Sequence, residues 1–225
     1  MKLGIFGDSY ADINCPDIKY HDTDSKPWPE ILEAMIGAKA EFHAQSSTPL
    51  WYSYQKFLKN YKTFDNIVFC YTDYNRWQSI ADPELVGLSF IKVEEQITWL
   101  EQQGKSKTYV DAARKLVAVH PILDSKEFNI FIYQSIFNNI NAICKSNGIK
   151  LVNLMPFETR NKIPIDISAS TGACVIGIQV ASKEDSSLTV IGVDGRYCHL
   201  SPNNNKRLAN TINELWDSNS VVEFK

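Results

Sequence analysis

The chain has 225 residues, 44% hydrophobic and 22% charged, with 23 Lys and Arg against 26 Asp and Glu for a formal net charge of −3. That length carries one good core in a single domain, 1–225, of ordinary globular composition. The lack of a basic excess disfavours nucleic acid as a partner, and no stretch approaches the roughly 18 apolar residues of a membrane helix. The short opening run is broken by Asp8 and is not expected to act as a secretory leader. Five cysteines, Cys15, Cys70, Cys144, Cys174 and Cys198, stand apart without CxxC spacing. That spacing argues against a disulfide framework or a zinc site and fits a cytoplasmic protein. Cys70 and Cys144 read as small core hydrophobes.

Residues 2–7 are apolar on both faces and stop at glycine, which predicts a fully buried strand. An Asp- and Pro-rich loop follows from Asp12 to Pro27. Trp28, Ile31, Leu32, Met35 and Ile36 fall at helical spacing, with Pro29 in the first turn and Gly37 as the stop. KAEFHA is a short strand, and Leu50, Tyr54, Phe57, Leu58 and Tyr61 form the apolar stripe of a second helix. Ile67–Tyr71 is a second strong strand. From Trp77 to Asp124 the pattern is helical and amphipathic, with breaks near Gly104 and Pro121, and predicts an insertion of two or three helices at about 77–124. A long helix capped by Ser125 ends at Gly148 and feeds a strand over Ile149–Leu154. Residues 156–187 give no assignable pattern. SSLTVIGVDGRYCHLSP reads as extended and then loop, and a helix capped by Ser201, with Pro202 first, closes the chain. Strand and helix alternate, so the expected fold class is α/β: a three-layer α/β/α sandwich on a mostly parallel, flavodoxin-like sheet.

Such sheets gather ligands at the carboxyl ends of their strands. Gly7-Asp8-Ser9 stands at one such end and Tyr71-Thr72-Asp73 at another. A Gly-Asp-Ser turn is also a common bland turn, and a serine hydroxyl is a weak nucleophile until a base takes its proton. Among four histidines, His21, His43 and His120 read as surface or packing residues. His199, in CHLSP just before the final helix, is the candidate base. Asp8, Asp12, Asp17, Asp22 and Asp24 beside His21 match no EF-hand or zinc pattern and read as a solvated loop, so no metal is expected.

FGDSYAD and DGRYCHLSPNNNKRLA together resemble the first and last motif blocks of the SGNH (GDSL) hydrolases, in the right order and on the right elements. The resemblance implies a cofactor-free esterase in which Ser9 attacks an ester carbonyl and His199 is general base, then general acid. It also implies an oxyanion hole made from the serine N–H, a backbone N–H of the second block and an asparagine of the third. Three departures stand out. Ser46, or Ser47 beside it, takes the place of the second-block glycine, and His43 stands where the family often has asparagine. Asp73 aligns with the oxyanion asparagine, where an ionised carboxylate repels the forming anion, so Asn75 or the Thr72 hydroxyl is the favoured donor. Arg76 suits a substrate carboxylate or phosphate, or a surface ion pair. Arg196 stands where the family has aspartate, leaving Asp194 as third member of a triad, or else a Ser-His dyad. Trp51, Tyr52 and Trp77 read as core more than pocket.

The expected substrate is an O-acyl carbohydrate or a small acyl ester. The departures at Asp73 and Arg196 keep open a catalytically inactive domain that binds a glycan or protein partner. A flavodoxin-like nucleotide or phosphate binder ranks lower, for want of a Gly-rich loop.

Overall fold

The computed structural model describes residues 1–14, 26–46, 48–72, 97–98, 101–102, 104–112, 114–115, 125–156, 166–178, 200 and 202–224. Its elements are β1 (Lys2–Gly7), α1 (Trp28–Ile36), β2 (Lys39–Ala44), α2 (Leu50–Asn60), β3 (Asn66–Cys70), α3 (Lys126–Ser146), β4 (Lys150–Met155), β5 (Ala173–Ile176), α4 (Pro202–Glu214) and β6 (Val221–Glu223). The six strands form one sheet in the order β2-β1-β3-β4-β5-β6, with every neighbouring pair parallel. Its first five strands have the flavodoxin-like 2-1-3-4-5 order.

The two-residue period of each strand sorts its side chains into two cores. Leu3, Ile5, Val68, Cys70, Val152, Leu154, Ala173 and Val175 face α1 and α4, where Trp28, Leu32, Leu208 and Ile212 complete one buried cluster. Phe6, Ile67, Phe69, Tyr71, Leu151, Met155, Cys174 and Ile176 face the other way, onto Leu50 and Phe57 of α2 and Phe137 and Ile140 of α3. Strands apolar on both faces require helices on both faces. The result is the three-layer sandwich.

The helices start and stop where local chemistry dictates. Gly37 at the end of α1 adopts φ 58°, a left-handed conformation that glycine reaches without steric cost. Ser125 caps α3 by accepting from the Phe128 N–H at 3.2 Å, and α3 ends at Ser146, just before Gly148. Met35 and Leu58, placed in apolar stripes by spacing, are exposed instead. Each stripe is wider than the face its helix buries. Cys70 and Cys144 are buried as expected, Cys174 is buried as well, and burial pushes the Cys144 thiol up to about 12.

Two strands depart from the sequence reading. β5 lies inside 156–187, where no pattern was assigned, and β6 follows the helix that was expected to close the chain. A polar cluster anchors the approach to β5. Asn153, fully buried on β4, accepts from Tyr71 Oη at 3.1 Å and donates to Ser170 Oγ at 3.0 Å. Asn141 of α3 accepts from the Thr171 N–H at 2.9 Å. Within 77–124, residues 107–112 and 114–115 are helical after a turn at Gly104. Ile97 and Val110 are buried together there. Residues 97–98 and 101–102 are helical as well, while Pro121 and residues 77–96, 99–100, 103, 113 and 116–124 lie outside the described residues.

Candidate active site

Where the strand order reverses, the helices that follow β1 and β3, α1 and α3, pack on opposite faces of the sheet, the arrangement at whose carboxyl edge ligands bind in sheets of this kind. Gly7-Asp8-Ser9 leaves β1 there and Tyr71-Thr72 leaves β3 beside it. Gly7 has φ 156°, and a Cβ on it would lie 2.6 Å from Cys70 Cβ and 3.0 Å from the Cys70 carbonyl oxygen. Only a hydrogen fits, so the two strand ends approach closely. The Gly7 carbonyl accepts from the Gln45 N–H at 3.1 Å and from Ser53 Oγ of α2 at 3.0 Å, fixing the last residue before the turn.

The turn then builds itself. Asp8 Oδ1 accepts from the Tyr10 N–H at 3.2 Å, and the Asp8 carbonyl accepts from the Ala11 N–H at 3.0 Å, an Asx-type turn. Ser9 is 5% exposed, and its Oγ has no hydrogen-bond partner among the described residues. Thr72 is 2% exposed, and its Oγ1 is likewise unpartnered among them. Phe6 pairs with Phe69 across β1 and β3, and each hydroxyl residue lies three positions beyond its member of that pair. Buried polar atoms are nearly always paired, so two hydroxyls on neighbouring strand ends without partners among the described residues single this place out as the candidate site.

Asp12 is not the solvated loop residue expected from composition. Its Oδ2 accepts from both the N–H and the Oγ of Ser46, at 2.7 and 2.8 Å, while Oδ1 accepts from the Asn14 N–H at 2.9 Å. The β1 and β2 exits are thereby clamped together. The Ser46 N–H, the expected second-block donor, already holds a carboxylate oxygen. His43 stacks on Phe6 with ring centroids 4.9 Å apart and stands 3.7 Å from Glu41, a packing role on the edge strand. Burial lowers its pKa, against the opposing pull of Glu41. Tyr52 is buried, as expected, and its hydroxyl donates to Gln45 Oε1 at 2.6 Å.

A relay runs from the serine turn toward the C-terminal motif. Trp28 Nε1 donates to the Tyr10 carbonyl at 2.7 Å, and the Trp28 N–H donates to Asn205 Oδ1 at 2.9 Å. Asn205 Nδ2 in turn donates to the Leu200 carbonyl at 2.7 Å. Leu200 is buried in the same cluster as Ala11 and Trp28. His199, Asp194, Asp73, Asn75, Arg76, Ser47 and Trp77 lie outside the described residues. Among the described residues no three His, Cys, Asp or Glu side chains stand together to hold a metal ion, and no helix is long and apolar enough to cross a membrane. A shallow cavity lined by Met1, Asn66, Lys150 and Trp216 opens at the opposite edge, where β3 and β4 begin.

No family model matches the chain, and no curated protein does. Solved structures do. A protein assigned to the G-D-S-L lipolytic family from Desulfitobacterium hafniense DCB-2 is 10% identical over 72% of this chain and 63% of its own, with a TM-score of 0.35. LAE5, an alpha/beta hydrolase from the metagenome of Lake Arreo, Spain, is 12% identical over 69% and 60%, also at 0.35. A carbohydrate esterase whose active site displays divergent catalytic and non-catalytic binding functions is 11% identical over 94% and 66%, at 0.45. The chain spans about three fifths to two thirds of the length of these three. Residue roles therefore rest on this chain's own geometry.

Asp12 and Asn205 escaped the sequence reading. The signal for Asn205 is indirect: Pro27 precedes α1 and provides no side-chain cap, so the Trp28 N–H needs an acceptor from elsewhere. For Asp12 no local signal exists, because its partner is 34 residues away.

Proposed function

We propose that this chain is a serine hydrolase of SGNH type that cleaves a carboxylic ester, with Ser9 as nucleophile and His199 as base. One observation carries the reading. Ser9 Oγ is buried and unpartnered among the described residues at the switch point of the sheet, while a three-bond relay ties its turn to Leu200, the residue after His199. Among the described residues that hydroxyl makes no hydrogen bond that must break before it attacks.

In the proposed reaction Ser9 Oγ bonds to the carbonyl carbon as His199 accepts its proton and the carbonyl electron pair moves onto oxygen. Collapse expels the alkoxide, protonated by His199, and leaves an acyl-serine. Water, activated by the same imidazole, then releases the acid. Asp194 orients His199 as third member; without it the pair acts as a dyad. No cofactor takes part. The substrate class is an O-acyl carbohydrate or a small acyl ester, and Arg76 is the candidate contact for a substrate anion.

The commitment of the Ser46 N–H to Asp12 supports a second reading, a domain of the same type that binds a glycan or protein partner without turnover. Hydrolysis of p-nitrophenyl acetate by the wild type, lost in Ser9→Ala, supports the hydrolase. Equal rates in the two proteins, or no turnover in either together with no labelling of Ser9 by a fluorophosphonate, refute it.

A further inference from the structure

We propose that the Thr72 hydroxyl donates the hydrogen bond that stabilises the oxyanion formed when Ser9 attacks. The assignment rests on the hydrolase reading above and goes further by naming the donor. Thr72 is buried at the end of β3, and its Oγ1 has no hydrogen-bond partner among the described residues. Its backbone is fixed, because Tyr133, itself buried, donates its hydroxyl to the Thr72 carbonyl at 2.9 Å. The backbone that carries the side chain is therefore held in place, yet among the described residues its one donor is unused.

Two further observations point to the reacting carbonyl as the missing acceptor. The pairing of Phe6 with Phe69 sets Ser9 and Thr72 equally far beyond the same rung of neighbouring strands, and the Gly7–Cys70 approach draws those strand ends together. One of the other expected donors is occupied, since the Ser46 N–H lies 2.7 Å from Asp12 Oδ2. An unused buried hydroxyl costs stability, so its retention is explained when the partner arrives only during the reaction. A donor already desolvated and aimed before the charge appears is what oxyanion stabilisation requires. The step transfers no proton from Thr72. As the Ser9 Oγ–carbon bond forms, the carbonyl π pair becomes the lone pair that accepts the Thr72 O–H, and the bond is released when the carbonyl re-forms.

The test compares Thr72→Val, which keeps the shape and removes the hydroxyl, with Thr72→Ser, which keeps the hydroxyl. Steady-state hydrolysis of p-nitrophenyl acetate and thermal melting are measured for both. Thr72→Val is expected to lose about 10²-fold in kcat with little change in KM, while its melting temperature holds or rises. Thr72→Ser is expected to recover most of that loss. Wild-type kcat in Thr72→Val overturns the assignment, as does an equal loss in both variants, which would mean that the methyl group acts through packing. A fall in melting temperature for Thr72→Val also overturns it, because the hydroxyl would then be structural. Ser9→Ala separates the two levels. If it stays active, the hydrolase reading itself falls; if it is inactive while Thr72→Val is fully active, only the Thr72 assignment does. A wild type that neither turns over nor takes a fluorophosphonate on Ser9 overturns both.

Discussion

Replacing Asn205 by alanine and by aspartate separates two hydrogen bonds that its amide makes. Its Oδ1 accepts from the Trp28 N–H at 2.9 Å, and its Nδ2 donates to the Leu200 carbonyl at 2.7 Å. The first bond caps α1 from a distant helix, since Pro27 offers no side-chain acceptor. The second holds the chain one residue beyond His199. Each is worth about 0.5–1.5 kcal/mol net, so Asn205→Ala should lose about 1–3 kcal/mol of stability in urea denaturation. Asn205→Asp keeps the acceptor and adds a negative charge near a helix N-terminus, which is favourable by about 0.3–1 kcal/mol. It loses the donor, however, and sets a carboxylate oxygen against the Leu200 carbonyl. Stability close to wild type with impaired turnover is the expected result. A displacement of roughly 1 Å at a reacting group costs about 10²-fold, so a fall in p-nitrophenyl acetate kcat of about 10- to 100-fold is expected for Asn205→Asp. Wild-type turnover in Asn205→Asp would show that Leu200 is placed by packing alone. Equal destabilisation of the two variants would remove the remote cap.

Gly7→Ala sets a methyl 2.6 Å from Cys70 Cβ at φ 156° and should destabilise by about 1–3 kcal/mol or more; an unchanged urea midpoint contradicts the close approach of the two strand ends. His43 titrates with a sign that follows from its burial. Its folded pKa is held below the ordinary value of 6.5 chiefly by desolvation, with Lys56 adding to that shift and Glu41 opposing it. The unfolded chain therefore takes up the proton first, and the stability present above about pH 6.5 is lost as pH falls through that value toward the folded pKa. Melting temperatures at about pH 7.5 and about pH 5.5 should diverge less in His43→Gln than in wild type, and an identical divergence removes His43 as a source of acid sensitivity.

Some parts of the molecule declare themselves locally and others do not. β1 and β3 were legible because Leu3–Phe6 and Ile67–Tyr71 are apolar on both faces, which only a buried parallel strand tolerates. α1 and α3 were legible because Gly37 and Ser125 are chemical stop and start signals. β5 has only four residues after a polar Ser170-Thr171-Gly172 approach, and tertiary hydrogen bonds to Asn141 and Asn153, not apolar periodicity, hold that approach in place. β6 is a three-residue edge with no internal pattern to read. At the candidate site, the place of Ser9 in a turn at a strand end was legible because glycine, acid and hydroxyl follow directly on a buried strand. For the proposed donor role, Thr72 is only one of several candidates in the sequence. Asp12 and Asn205 act on backbone atoms far along the chain, and a linear reading carries no trace of such partners.

The borders of the sheet bear on how copies of this protein meet one another. One border is β2, where Lys39, Glu41 and His43 alternate along the strand; the other is β6, only three residues long and ending in Glu223. The β2 margin is already engaged in part, since the Ala40 N–H donates to Glu33 Oε1 at 2.8 Å. A newcomer on β2 would have to lie against a fringe of mixed charge, and β6 is too short to template a stable ladder. Side-by-side growth into extended β assemblies is thus discouraged at each end, although the interior of the same sheet is built almost wholly from apolar side chains.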